Sequence, residues 1–375
     1  IFCENLSHLV DGGKEEYNMK IKLALLDKDK NYLERLSTVF LNKYPDRIEF
    51  YSFSDPKVAL QCVQSGKVEV FLANEQFEVN VADIPENTCF AYIAENAETE
   101  EIHGQRTIFK YQRAETFYKQ ILDFYAENTT KVISGYSSNH QNTTEVISFG
   151  SFSGGTGCST VAAAFCIYAV RRGARVLYLN LERFGTTDSF FHGEGQTDFG
   201  DVLYAVKSKR NNLNIKLEST LRQDASGVYF YASPKVALDL QEMDETDVKT
   251  LLDELCASGR YDCIITDIDL DLNPKVEKIL EYSSKIVFVS DGTDISNMKL
   301  ERGLQTMRLW AQQKNEVLMS QAYLYYNKFS NKTSKAVQGL DLEELGGVPR
   351  FEHATTQQVI EQLINIPNFA KLYSK

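Results

Sequence analysis

The stretch Val146–Phe165, VISFGSFSGGTGCSTVAAAF, decides the reading of this chain. It has the order of a buried strand, a glycine-rich turn and the first turns of a helix. Gly154, Gly155 and Gly157 permit backbone angles that aim several N–H groups at one point. A helix starting at about Cys158 adds the positive end of its dipole. Ser159 or Thr160 can offer a hydroxyl to a magnesium ion. Residues Gly154, Gly155, Thr156, Gly157, Cys158, Ser159 and Thr160 are therefore a candidate phosphate-binding loop, with a ligand-free turn as the bland alternative. Such a loop normally carries a lysine just before its final Ser/Thr pair, and here Cys158 stands in that place.

Around this stretch, apolar runs alternate with segments of helical spacing. Strands are expected near Val146–Gly150, Arg175–Asn180, Val228–Ala232, Cys263–Asp267, Ile286–Ser290 and Ala322–Asn327, with helices between them. The front of the chain alternates in the same way: IKLALL, IEFYSF, VEVFLA, CFAYIA and RTIFK read as strands. NYLERLSTVFLNKY, PKVALQCVQSG and AETFYKQILDFYAE read as helices. Alternation of this kind implies parallel sheets with helices on both faces. Between the blocks lies ENTTKVISGYSSNHQNTTE, which has little to bury and reads as a linker over 127–144. The expected organisation is an extension at 1–18, a front domain at 19–126, the linker, and a second domain at 145–375.

Composition narrows the function. The chain has 375 residues and a net charge of −12, with 52 acidic against 40 basic side chains. Nonspecific nucleic-acid binding depends on cations neutralising phosphates, so no nucleic-acid partner is expected. The seven cysteines are irregularly spaced and include no CxxC pair, which fits a reducing cytoplasm rather than disulfides or zinc. No signal-peptide pattern opens the chain, and the longest apolar run, near Val161–Val170, is too short to span a bilayer. No stable membrane insertion is expected.

SGGTGCST resembles the deviant Walker A loop of the MinD/ParA superfamily, whose two lysines are replaced here by Ser153 and Cys158. The resemblance covers residues 145–375. It continues in RVLYLNLERFGTTDSFF, where Asn180 and Glu182 stand at the positions of two family acids, and FGTTD is similar to the CpaE/TadZ branch. YDCIITDIDL matches the Walker B strand and puts Asp267 at its acidic position. YLYYNKF matches the strand whose terminal Asn, here Asn327, reads adenine, and GGVPRF resembles the loop containing Pro349 that closes over the base. The resemblance implies ATP and Mg²⁺ as ligands, with Ser159 and Asp267 serving the metal. Glu182 is the candidate catalytic residue, positioning a water, or else a loop residue. Asp269 and Asp271 are expected to face solvent.

The front block resembles a response-regulator receiver over 19–126. LALLDKD places Asp27 and Asp29 where a receiver holds its metal-binding acids, and RTIFKYQ supplies Lys110 at the end of its last strand. Asn74 stands where the phospho-accepting Asp belongs, so aspartyl phosphorylation is expected to be lost. The implied fold is a flavodoxin-like receiver-type domain followed by a P-loop NTPase domain. CpaE/TadZ proteins have this order and are associated with placing tight-adherence (Flp) pili, often at a cell pole. The resemblance thus implies a nucleotide-binding localisation factor, at most a weak ATPase, with pilus or secretion machinery proteins as partners and a homodimer as its state. Arg183, or a residue of the second copy, could substitute for the missing lysines, and the sequence leaves this open. The competing readings are an active ParA/MinD-type ATPase that positions other cargo, a two-component response regulator, and an iron protein. The acidic charge, Asn74 and the cysteine placement weigh against these in turn. The tail QQVIEQLINIPNFAKLYSK has an apolar stripe but only two lysines, and is expected to pack on the domain rather than a membrane.

Overall fold

The structure is a computed structural model that describes residues 20–129, 144–209, 212–314 and 321–373. The extension expected at 1–18 and most of the expected linker lie outside these residues. The chain divides into two compact units, Ile1–Tyr111 and Gln112–Lys375.

The described part of the first unit is built on one sheet. Its strands are β1 (Ile21–Leu26), β2 (Ile48–Phe53), β3 (Val70–Asn74), β4 (Cys89–Ala94), β5 (Glu101–Ile102) and β6 (Gln105–Phe109). Their order is β2-β1-β3-β4-β6-β5, parallel throughout except for the β5–β6 pair. The near-continuous apolar runs of β1, β3 and β4 are buried, as a sheet covered on both faces requires. Helix α1 (Lys30–Lys43) turns Leu33, Leu36 and Phe40 inward at helical spacing, and α2 (Pro56–Gln64) opens with a proline in its first turn. Strand β5 escaped the sequence reading. It is two residues long and exists because His103 and Gly104, both at positive φ, fold a tight turn onto β6.

The second unit begins with α3 (Ala114–Asn128). Its sheet contains β7 (Glu145–Ser151), β8 (Val176–Asn180), β9 (Arg222–Gln223), β10 (Tyr229–Phe230), β11 (Cys263–Asp269), β12 (Lys285–Ser290), β13 (Ala322–Phe329) and β14 (Glu343–Pro349). The order is β14-β13-β12-β7-β11-β8-β10-β9, with only β9–β10 antiparallel among the described residues. The helices that cover it are α4 (Cys158–Val170), α5 (Phe199–Lys207), α6 (Leu213–Thr220), α7 (Leu238–Gln241), α8 (Glu245–Ala257), α9 (Pro274–Tyr282), α10 (Asp294–Lys314) and α11 (Thr356–Ile364). Strand β7 sits between β11 and β12, so the winding of the sheet changes direction there. In open α/β sheets the ligand crevice lies at the carboxyl ends of the strands, at such a point. Two apolar clusters flank the sheet, one around Phe165, Tyr178 and Phe369, the other around Leu203, Leu251 and Leu300.

Two segments differ from or settle the sequence reading. GGVPRF was expected to be a loop, yet Gly346–Pro349 complete the parallel edge strand β14. The glycines permit this: Gly346 has φ +106°, and a Cβ on Gly347 would lie 2.9 Å from the Tyr326 carbonyl oxygen. The tail packs on the domain, as expected. Ile360, Leu363 and Ile364 of α11 are buried beside α4, and Phe369 meets Phe165 and Tyr168 edge-on.

Candidate nucleotide site

Strand β7 delivers the chain to the glycine loop and α4 carries it away, so the loop closes over a helix N-terminus. Gly155 and Gly157 both have φ +80°, a region that side-chain-bearing residues avoid. Gly154 and Gly155 face open space. Gly157, the N-cap of α4, does not: an added Cβ would lie 2.5 Å from Asn327 Nδ2 and 3.3 Å from Lys328 Cε. The reason lies in β13. Buried Asn327 donates from Nδ2 to the Thr156 carbonyl at 2.7 Å, and Lys328 donates from Nζ to the Gly155 carbonyl at 2.8 Å.

The acidic side of the crevice comes from β8 and β11, which place Asn180 opposite Asp267. Asp267 is fully buried. Its Oδ2 accepts from the Tyr178 hydroxyl at 2.7 Å and lies 3.4 Å from Asn180 Nδ2. Asn180 Nδ2 also reaches Glu182 Oε2 at 3.1 Å, and the Ser159 hydroxyl donates to the same oxygen at 3.2 Å. A neutral amide at position 180 can bridge the two carboxylates, where a third acid would add repulsion. Gly185 leaves room for it, since a Cβ there would lie 2.5 Å from Asn180 Oδ1.

Burial first, and the Glu182 charge next, push the Asp267 carboxyl up to about 8. Burial also raises Glu182, against the hydrogen bond from Asn180. The Cys158 thiol is pushed well above its ordinary range by burial and then by Asp267 and Glu182, so the helix dipole does not make it a reactive thiolate.

Oδ1 of Asp267 is buried and makes no well-formed hydrogen bond among the described residues. A buried acceptor left in this state is costly unless something else meets it. With the Ser159 hydroxyl nearby, the donors are all oxygen, the set that suits magnesium with its retained waters. The residues therefore fit Mg²⁺ held jointly with a phosphate ligand on the loop.

The remaining expected residues are placed as follows. Thr156 is buried within the loop and Thr160 is half-buried in the first turn of α4. Pro349 is exposed at the end of β14, opposite Phe329, and the hydrogen bonds just described do not reach it. Asp269 and Asp271 face solvent, as expected, and pair there with Arg183. The Arg183 N–H donates to Asp269 Oδ2 at 2.9 Å, and its guanidinium lies 3.7 Å from Asp269 and 3.6 Å from Asp271. Arg183, one candidate substitute for the missing lysines, thus lies beside two acids at the surface. Sequence reasoning missed Tyr178 and Lys328. The available signals were a lone tyrosine in the aliphatic strand VLYLN and a basic residue directly after Asn327.

In the front unit the receiver-like pocket is closed by its own side chains. Lys110 Nζ lies 2.7 Å from Asp27 Oδ2, and Asn74 Nδ2 donates to the same oxygen at 3.1 Å. Asp27 Oδ1 accepts from the Asp29 N–H, while Asp29 Oδ1 caps α1 through the N–H groups of Asn31 and Tyr32. The ammonium sits on the carboxylate that a divalent ion would need, and an amide cannot accept a phosphoryl group. Treatment with acetyl phosphate followed by peptide mass spectrometry is expected to find no phosphoaspartate in 19–126. A mapped phosphoaspartate there would restore the signalling reading.

Among the described residues no helix is long and apolar enough to cross a membrane. No curated protein sequence matches the chain. Many solved structures are similar to part of it, among them the following three. A ParA family ATPase from Chlorobium tepidum TLS matches at 19% identity over 63% of this chain and 94% of its own, with a TM-score of 0.48. The MinC:MinD cell division complex of Aquifex aeolicus matches at 19% identity over 56% and 82%, with a TM-score of 0.44. A putative plasmid partition protein from Borrelia burgdorferi B31 bound to AMPPNP matches at 14% identity over 62% and 100%, with a TM-score of 0.42. The family described as "TadZ-like, receiver domain" matches residues 19–126. Residues 19–126 thus carry a TadZ-like receiver domain, and the described part of the second unit has a mostly parallel sheet with a glycine loop between β7 and α4.

Proposed function

We propose that the chain is a Mg-ATP-binding localisation or assembly factor for a tight-adherence (Flp) pilus or a similar secretion system. It works in the cytoplasm and is recruited to the membrane-associated machinery or a cell pole. The observation that carries the nucleotide part is the fully buried carboxylate of Asp267 facing the Ser159 hydroxyl at the mouth of the glycine loop. The triphosphate would lie against the N–H groups of Gly154–Ser159. Ser159 would serve the metal directly and Asp267 would hold one of its waters. Asn327 would offer its Oδ1 to the adenine edge, and Glu182 would orient a water. Bound magnesium supplies charge neutralisation at the phosphates.

Hydrolysis is slow or absent in this reading. A cation on the transferring phosphoryl group is worth about 3–5 orders of magnitude in rate. The loop has no lysine, Lys328 is turned to the Gly155 carbonyl, and Arg183 pairs at the surface with Asp269 and Asp271. The chain also forms a homodimer. The exposed apolar side chain of Phe184, next to Arg183, and those of Ile295 and Met298 on α10 offer contacts that need no lysine across the interface.

Thermal melts with ATP, ADP and GTP, with and without Mg²⁺, test the reading, and sedimentation of the same samples tests the dimer. A ligand at a hundred times its dissociation constant stabilises the native state by about 2.7 kcal/mol. The expected result is a Mg²⁺-dependent rise with the adenine nucleotides and a dimer in every sample. Absence of any shift at millimolar adenine nucleotide rejects the binding claim, and a monomer throughout rejects the dimer.

A further inference from the structure

Successive side chains of a strand point to opposite faces of its sheet. Asn327 and Lys328 break that rule. They are neighbours near the end of β13, yet both reach the glycine loop and take consecutive carbonyls, Thr156 and Gly155. The backbone explains how. Lys328 has φ +57°, a left-handed conformation that a lysine seldom adopts, and the register of β13 against β14 shifts between Tyr326 and Phe329. Such a conformation persists only where its surroundings hold it, and it concentrates at functional sites.

The two bonds dictate which way the loop faces. In a trans peptide the C=O and the following N–H point in opposite directions. Holding the Gly155 carbonyl toward Lys328 turns the Thr156 N–H to the other side. Holding the Thr156 carbonyl toward Asn327 does the same for the Gly157 N–H. Gly155 and Gly157, both at φ +80°, allow the chain to follow. Two carbonyls that would repel an anion are thus held away from it, and two donors are turned toward it before any ligand arrives.

We propose that Lys328 is a positioning residue for the phosphate loop. With Asn327 it preorganises the N–H groups for an anion, and it supplies from β13 a cation beside a loop that has no lysine of its own. This rests on the nucleotide reading for the identity of the anion, a nucleoside phosphate with Mg²⁺. The ordering of the loop does not rest on it. Lys328 is exposed and stands on the strand end, so its replacement spares the core.

The test compares Lys328→Met, which removes donor and charge, with Lys328→Arg, which keeps both. The first measurement is the ¹⁵N backbone order parameter at Thr156–Ser159 in protein without nucleotide. The values are expected to lie near the rigid-backbone level of about 0.85 in the parent and in Lys328→Arg, and to fall below about 0.6 in Lys328→Met. Unchanged order parameters in Lys328→Met overturn the proposal. The second measurement is calorimetry with Mg-ATP and Mg-ADP. A positioning residue weakens both to the same degree, about tenfold, and the arginine variant recovers both. A loss confined to Mg-ATP overturns the positioning role in favour of direct contact with the terminal phosphate. If the parent protein binds neither nucleotide, the functional reading fails, and the order parameters still decide the role of Lys328.

Discussion

Lys216→Met is expected to loosen the junction of α3 and α6 by about 3–5 kcal/mol, the cost of breaking a buried ion pair from one side. Lys216 Nζ lies 2.5 Å from Asp123 Oδ1, and both side chains are more than 90% buried. Its removal takes the ammonium away from a buried carboxylate that has the Ser219 hydroxyl 3.5 Å away. Glu127, 3.8 Å from the same ammonium, is partly exposed and adds little. Amide exchange across Ala114–Asn128 should accelerate by roughly two to four orders of magnitude. The double change Lys216→Met with Asp123→Leu should recover most of the loss, because two apolar groups can replace a buried pair at little cost. Exchange in Lys216→Met within about threefold of the parent would refute the assignment.

The second large effect concerns Asp267 and pH. Its carboxyl titrates near 8 in the folded protein, above its ordinary value of 3.8, because burial and then Glu182 disfavour the charge. The folded state therefore holds a proton that the unfolded chain releases. The stability this gives is complete below the ordinary value and is lost as pH rises toward 8. The slope approaches 1.4 kcal/mol per pH unit, so on the order of 2 kcal/mol should disappear between pH 6 and pH 8 relative to Asp267→Asn. Glu182 titrates together with it, so the loss belongs to the pair. Trp310, the single tryptophan, lies on α10 and reports this unit in urea titrations of both proteins at the two pH values. A parent that keeps pace with Asp267→Asn across the range would show that the carboxyl is not so perturbed. Mg-ATP should flatten the dependence in the parent alone, since a cation favours the ionised form.

Much of the architecture was legible because parallel sheets with both faces covered write themselves as apolar runs. IKLALL, CFAYIA and CIITDID needed no context. The two-residue strands β5 and β9 carry no period to detect. Strand β14 was hidden because Gly-Gly-Val-Pro has the composition of a turn, and only the close approach to Tyr326 shows why the glycines are there. In the crevice, Ser159 was readable from the glycine loop, and Asn180 and Glu182 from the family resemblance; they lie in one hydrogen-bond network with Asp267. Tyr178 was not, because a tyrosine in a buried strand looks like core until its hydroxyl is seen on Asp267. Lys328 was invisible for a different reason: strand alternation sends it to the far face, and only its left-handed backbone brings it back. The pairing of Arg183 with Asp269 and Asp271 depends on two loops meeting, which no local pattern encodes.

The position of α3 has a practical consequence for anyone cutting this chain. The receiver match runs to residue 126, yet the second compact unit starts at Gln112. A fragment ended at 126 would carry away a helix whose Asp123 belongs with Lys216 and whose Tyr118 hydroxyl belongs with Glu218. The remainder would keep Lys216 with the partly exposed Glu127 in place of the buried Asp123. Poor solubility of such halves would then be a fault of the scissors, and a cut at Tyr111 keeps α3 and α6 on one polypeptide.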